Sequence, residues 1–147
     1  MILNSIYAFI ATLGFAGIFN IRGKKFFYAS LCGSLSWTVY LIFLHLNYSN
    51  VLSFFAASLA IGIYSEILAR LLKTPVTTFV ICGLIPLVPG GGMYYTMQKC
   101  IEGDVNGALN MGINTLSIAG SIALGIVIIS SITKIIFKFK EKLFIKI

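Results

Sequence analysis

The segment Ile85-Pro86-Leu87-Val88-Pro89-Gly90-Gly91-Gly92-Met93-Tyr94-Tyr95 holds the densest set of residues able to bind a ligand. Pro86 and Pro89 bring no N–H, so the carbonyls of Cys82 and Ile85 lose their usual helical partners. Three consecutive glycines admit backbone shapes that other residues resist. In hydrocarbon such backbone survives only where protein buries it or a polar cavity wets it. A half-helix restarting near Gly91 or Gly92 would aim free N–H groups and a positive dipole end at mid-membrane, where a carboxylate binds. The freed carbonyls suit an ammonium or a cation. On this reading Pro86, Pro89, Gly90, Gly91, Gly92 and Tyr94 are candidate substrate-binding residues; the competing reading is a packing kink satisfied by neighbouring helices.

Glu66 is the only acidic residue inside an apolar run, and a charge at a bilayer centre costs about 2.5–3.5 kcal/mol even on the lenient insertion scale. It needs a partner or a proton. Arg70 stands four residues on, on the same helical face and in the favourable Glu-before-Arg order. The pair is either a coupling or gating group that takes up a proton, or an interfacial ion pair one turn from the helix end.

A third pattern is the stripe Gly107, Asn110, Asn114, Ser117, Ser121 and Gly125, whose spacings of three and four hold all six on one helix face. Amides facing lipid would go unsatisfied, so this face is expected to look inward, with Asn110 and Asn114 as candidate hydrogen bonders along a substrate path and plain packing as the alternative. Ser58, Gly62, Ser65 and Ala69 make a similar seam that permits close helix approach.

Catalytic patterns are missing: there is no nucleophile elbow, metal-binding His cluster, paired carboxylates within a span or phosphate-cradling loop before a lysine. No enzyme, metal or cofactor is expected. Trp37 and Tyr40, one turn apart, either line a cavity or pack. His45 reads as an interfacial residue, and Cys32, Cys82 and Cys100 lack any C-x-x-C spacing.

Composition says what must position these residues. Of 147 residues, 59% are hydrophobic and only 10% charged, where soluble domains run about 25% charged. Too few polar side chains remain to cover a globule, so the expected fold is an all-α integral membrane protein. A span takes about 20 residues, which allows about five transmembrane helices. Apolar runs between breaks place them near 3–19, 26–46, 51–71, 76–99 and 105–132. The first lacks a preceding basic region and a small-residue cleavage site, so it reads as a retained span. In the fourth, the run from Val76 to Val88 measures about 20 Å and cannot cross a core of about 30 Å alone, so this helix is expected to be broken at the Pro/Gly motif.

Net charge is +7, yet the basic residues sit at the ends of apolar runs, which does not suit nucleic acid. With five spans and an N-out/C-in orientation, Arg22, Lys24, Lys25, Arg70, Lys73, Lys134, Lys138, Lys140, Lys142 and Lys146 fall inside and only Lys99 outside, as the positive-inside rule requires. Residues 1–133 read as a single transmembrane domain. Residues 134–147 read as a basic amphipathic cytoplasmic tail, with lysines every four residues opposite Ile135, Ile136, Phe139 and Leu143, suited to anionic lipids.

The chain resembles the C-terminal, small-subunit domain of the threonine/serine exporter family. The likeness rests on Phe19-Asn20 before a basic loop, Ser65-Glu66-Ile67-Leu68-Ala69-Arg70, Lys73-Thr74-Pro75, the Pro86-to-Tyr94 motif, Gly103-Asp104 and Thr115-Leu116-Ser117-Ile118-Ala119-Gly120. Arg22 stands where a proline is expected, a departure confined to one loop. The resemblance implies a multi-pass cell (inner or plasma) membrane protein, the small subunit of a secondary exporter of threonine and serine. It also implies a partner, a larger membrane subunit of the same family, with a homo-oligomer as the alternative assembly. A related branch exports C4-dicarboxylates such as succinate. Two readings of other classes stay open: a non-transporting scaffold subunit and a small self-assembling channel.

Overall fold

A computed structural model describes residues 1–144, with side chains through Phe137. The described residues form α1 (Ile2–Ile18), α2 (Lys24–His45), α3 (Asn50–Leu71), α4 (Thr77–Leu84), a 3-10 turn (Ile85–Leu87), α5 (Gly90–Ile101) and α6 (Val105–Phe144), with no strand among them. Lengths and composition let α2, α3 and α6 each cross a membrane. The fourth expected span is a bent pair, α4 with its 3-10 turn and α5, meeting at 52°. At 17 residues α1 is apolar but short, reaching about 25 Å.

The first three helices stop by a common device. Asn20, Asn47 and Lys73, each just past a helix end, take left-handed φ of 55°, 63° and 47°. The chain then folds back so that Ile21, Tyr48 and Thr74 donate their N–H groups to carbonyls of Ala16, Phe43 and Ala69 in the preceding turn. Asparagine tolerates this conformation through its short polar side chain, and the Asn20 carboxamide also accepts from Arg22 Nε at 2.9 Å. Ser49 caps α3 by accepting from the Leu52 N–H.

These reversals make α1, α2 and α3 an antiparallel set, with α4 packed among them. Small residues set the spacing: Gly33 receives Thr12, and Gly83 lies so close to Cys32 that an added Cβ would stand 2.6 Å from its sulfur. Buried hydroxyls are satisfied in place, Thr12 donating to the Ala8 carbonyl and Ser36 to those of Gly33 and Gly83. One apolar cluster, holding Ala16, Ala29, Leu68, Phe79 and Cys82, lies at the end where the α1–α2 and α3–α4 loops meet. Arg22 and Lys73 lie in those loops and Lys24 and Lys25 open α2 beside them, so this is the basic end of the molecule. A second cluster of Tyr40, Phe54, Ile61, Leu87, Ile118 and Ile122 joins α2 and α3 to α6.

Helix α6 runs parallel to α3 along the expected seam. Gly125 receives Ser58, and a Cβ on Gly62 would stand 2.8 Å from that of Ile129. Ser58, Gly62, Ser65 and Ala69 are all buried. Rather than stopping near Ile132, α6 continues through Phe144. Lys134, with no Gly or Pro after it, opens a stretch that simply extends the helix. The amphipathic pattern expected over 134–147 falls largely on side chains outside the described residues.

Candidate functional site

The chain leaves helical geometry where the prolines demand it. Pro86 cannot bond the Cys82 carbonyl, which instead accepts the Ile85 N–H in a tighter turn. This corrects the expectation that the Cys82 carbonyl is freed. The Val88 N–H still reaches the Leu84 carbonyl at 3.0 Å, and Gly90 folds back onto Val88 at 2.7 Å. Helix α5 then starts at Gly90 with Pro89 at its N-cap and no side-chain cap. Among the described residues no acceptor meets the N–H of Gly91 or Gly92. An uncapped helix start is therefore present at the Pro/Gly motif, with its positive dipole end at the break.

The three glycines are not equivalent. Gly92 is pressed against Thr115 of α6, whose hydroxyl donates to the Met111 carbonyl. A Cβ on Gly90 or Gly91 would meet nothing within 4 Å, and neither residue has a positive φ. Neither backbone shape nor packing inside this chain requires glycine at those two positions. Their smallness leaves backbone bare toward the outside.

Pro86 lines a cavity of about 380 Å³ with Asn4, Tyr7, Ala8 and Ala11 of α1 and Trp37 of α2. The wall is mostly apolar, with the Asn4 carboxamide, the Tyr7 phenol and the Trp37 indole as its polar handles. Trp37 is held by stacking on Tyr40 at 4.9 Å, and the Tyr40 hydroxyl donates to Asn50 Oδ1 at 3.0 Å. Sequence reasoning identified Trp37 but not Asn4 or Tyr7. Their polarity within an apolar helix was the available signal.

Glu66 and Arg70 lie elsewhere, in a groove of about 400 Å³ between α3 and α6, walled by Ile63, Ile67, Ile129, Ile132 and Ile136. Arg70 Nη2 donates to Glu66 Oε2 at 3.1 Å. The carboxylate is buried while the guanidinium is partly exposed and lies over the Phe137 ring. Phe137, which sequence reasoning missed, thus holds the pair against α6.

The stripe on α6 divides. Ser121 and Gly125 are buried and Gly107 is half-buried, but Asn110, Asn114 and Ser117 are exposed. The face expected to look inward does so over its second half only, because α3 covers α6 there and does not reach the first half. Tyr94, on α5, is also exposed. The candidate residues therefore occupy three places: Pro86 at the cavity under the break, Gly90, Gly91, Tyr94, Asn110 and Asn114 on the open α5–α6 side, and Glu66 with Arg70 at the α3–α6 groove.

At the α5–α6 turn, Lys99 Nζ reaches Asp104 Oδ2 at 3.1 Å and Glu102 Oε2 at 3.6 Å. Asp104 caps α6, accepting the Gly107 N–H at 2.9 Å. That backbone bond, with Lys99 beside it, holds the Asp104 carboxyl below its ordinary value.

A family model described as threonine/serine exporter, ThrE, matches residues 4–132. A Haemophilus influenzae (strain Rd) protein described as uncharacterized is 25% identical over 134 residues, covering 86% of this chain and 45% of the relative. The chain thus spans about half the length of that relative. No solved structure matches.

Proposed function

The chain belongs to the threonine/serine exporter family, and on that premise we propose that it is the small-subunit half of a secondary exporter of threonine and serine, working with a larger membrane subunit. The observation that carries this reading is the bent helix pair interrupted between Pro86 and Pro89, whose second helix begins with unpaired Gly91 and Gly92 N–H groups. Two oriented N–H groups on a helix dipole suit the carboxylate common to every amino acid. The cavity bounded by Pro86, Asn4, Tyr7 and Trp37, on the other side of the break, has the size and the few polar handles of a small-molecule site.

The orientation proposed is N-out/C-in with five spans in the cell membrane. Its support is the gathering of Arg22, Lys24, Lys25 and Lys73 at one end, against Lys99 at the tip of the α5–α6 turn. Glu66, buried beside Arg70, is the proposed coupling group: a carboxylate in a low-dielectric groove that exchanges a proton while the substrate moves. No catalytic step, metal or cofactor enters this mechanism. Alternating access arises from the movement of two helical halves around the broken span. A C4-dicarboxylate would engage the same N–H groups through one of its carboxylates, and an efflux assay separates the two substrate classes.

Cysteine accessibility tests the site. Cys32 and Cys82 are buried and Cys100 is exposed, so Cys100→Ser clears the background for Gly91→Cys. Alkylation of Cys at position 91 in native membranes should slow when threonine or serine is added. Labelling that ignores both amino acids and succinate would favour a scaffold that never touches substrate.

A further inference from the structure

Helices α3 and α6 run side by side and are held at two levels. At the first they nearly touch, since a Cβ on Gly62 would stand 2.8 Å from that of Ile129. At the second, the Arg70 guanidinium lies over the Phe137 ring, and two bulky side chains keep the helices apart. From Gly62 to Arg70 on α3, and from Ile129 to Phe137 on α6, the window between these levels measures about 12 Å. The groove of about 400 Å³ that holds Glu66 and Arg70 fills this window. It is closed at the glycine contact and reaches the basic end of the molecule. Ile63, Ile67, Ile132 and Ile136 of its walls are exposed, so its outer side is open.

The groove is apolar along its walls and charged at its mouth. Its isoleucines are branched at Cβ and stiff at χ1, so they line a channel of fixed form. Of the five N–H donors a guanidinium carries, Arg70 gives one to Glu66 Oε2 at 3.1 Å. The Arg70 side chain is 42% exposed and that of Glu66 only 11%, which leaves donors at the surface with the carboxylate beneath them. Lys73 follows Arg70, and Lys134 precedes Phe137, each by about one turn of chain. Both lysines are exposed, and neither meets a carboxylate among the described residues. Three cations at this end thus stand against a single carboxylate.

We propose that the α3–α6 groove is a binding site for one anionic phospholipid, whose acyl chain lies between the isoleucine walls and whose phosphate sits at Arg70, Lys73 and Lys134. Shape and charge select this occupant. A groove of about 400 Å³ spread along about 12 Å is too narrow for a helix about 10–12 Å across, but it accepts a single hydrocarbon chain. The surplus of positive charge at the mouth complements a headgroup with a net negative charge, and basic pockets between spans at the cytoplasmic side recognise such headgroups. A zwitterionic headgroup would bring its own ammonium to the same cations. The site differs from the general attraction of a lysine-rich stretch to an anionic surface, because one lipid is held in one place between two helices. It does not depend on what the chain exports.

The test is native mass spectrometry of the full chain, equilibrated in mixed micelles with equal amounts of phosphatidylglycerol and phosphatidylcholine. The expected result is one phosphatidylglycerol retained per chain, with phosphatidylcholine retained about tenfold less. Ile132→Trp fills the groove and leaves every charge in place. Lys73→Gln with Lys134→Gln removes two charges from exposed positions and leaves the groove walls intact. Each should lower phosphatidylglycerol retention about tenfold. Lys24→Gln with Lys25→Gln takes the same charge from the start of α2 and should leave retention unchanged. Equal retention of the two lipids overturns the proposal. So does an equal loss from the Lys24 and Lys25 pair, which would mean diffuse attraction to the basic end. Undiminished retention in Ile132→Trp overturns it as well, because the phosphate would then be held without a chain in the groove.

Discussion

The guanidinium carbon of Arg70 lies 3.3 Å from the centre of the Phe137 ring, joining the last turn of α3 to α6 near the basic end. The same guanidinium donates to Glu66, so one side chain neutralises a buried carboxylate and clamps two helices together.

Separate removal of each partner should distinguish these roles. Phe137→Leu loses the stacking alone, about 0.5–1 kcal/mol. Arg70→Ala also strips the buried carboxylate of its cation, and should cost about 1–2 kcal/mol after allowing for the exposure of the guanidinium. Thermal unfolding in detergent measures both, and equal losses would mean that the ion pair adds nothing.

Glu66→Gln keeps size and hydrogen bonding while removing the carboxylate proposed for coupling. The expected outcome is a correctly inserted protein whose efflux no longer varies with pH. Normal efflux with an unchanged pH profile would remove Glu66 from coupling and leave it an interfacial ion pair.

The neighbouring glycines of α5 should part company on substitution. Gly92→Leu drives a side chain into Thr115 and should destabilise the α5–α6 pair by about 1–3 kcal/mol. Gly91→Leu meets open space, so stability should stay within about 0.5 kcal/mol of the parent while efflux is lost. Melting curves and efflux on the same pair of variants provide the check; intact transport in Gly91→Leu would mean that nothing approaches that backbone.

Asp104 supplies a pH dependence of known sign. Its folded-state pKa is lowered from 3.8, first by the Gly107 N–H it accepts and then by Lys99. A carboxyl with a depressed folded pKa contributes stability that is present above 3.8 and fades as the pH falls through the lowered value. Hydrogen exchange at the start of α6 should therefore rise in acid below that range, and Asp104→Ala should show the faster exchange already at neutral pH.

Most element boundaries were legible because they are written in local chemistry. Asn20, Asn47 and Pro75 end helices through φ and missing N–H groups, and Pro86 with Pro89 forbid a continuous fourth span whatever surrounds them. The end of α6 was misjudged because apolarity was taken as the mark of the helix; the lysine-rich stretch after Ile132 still helps form it. That α3 leaves the first half of α6 uncovered was not legible. It depends on which residue of α3 meets Gly125, and periodicity in one helix says nothing of its register against another. For the same reason Asn110 and Asn114 were assigned to the interior, although no helix among the described residues covers them. Asn4 and Tyr7 stand out as polar residues in an apolar helix, but that they share a cavity wall with Trp37 and Pro86 depends on how two helices and a turn meet, which no one of them encodes.

The central claim is that this chain is half of an exporter, and efflux tests it most directly. Cells lacking their own exporters of these compounds would be loaded with threonine, serine or succinate, expressing this chain alone, a candidate larger subunit alone, or both. The account predicts efflux of threonine and serine only when both are present. Efflux from cells carrying this chain alone would contradict it, showing a self-sufficient assembly in which the open α5–α6 face is covered by another copy.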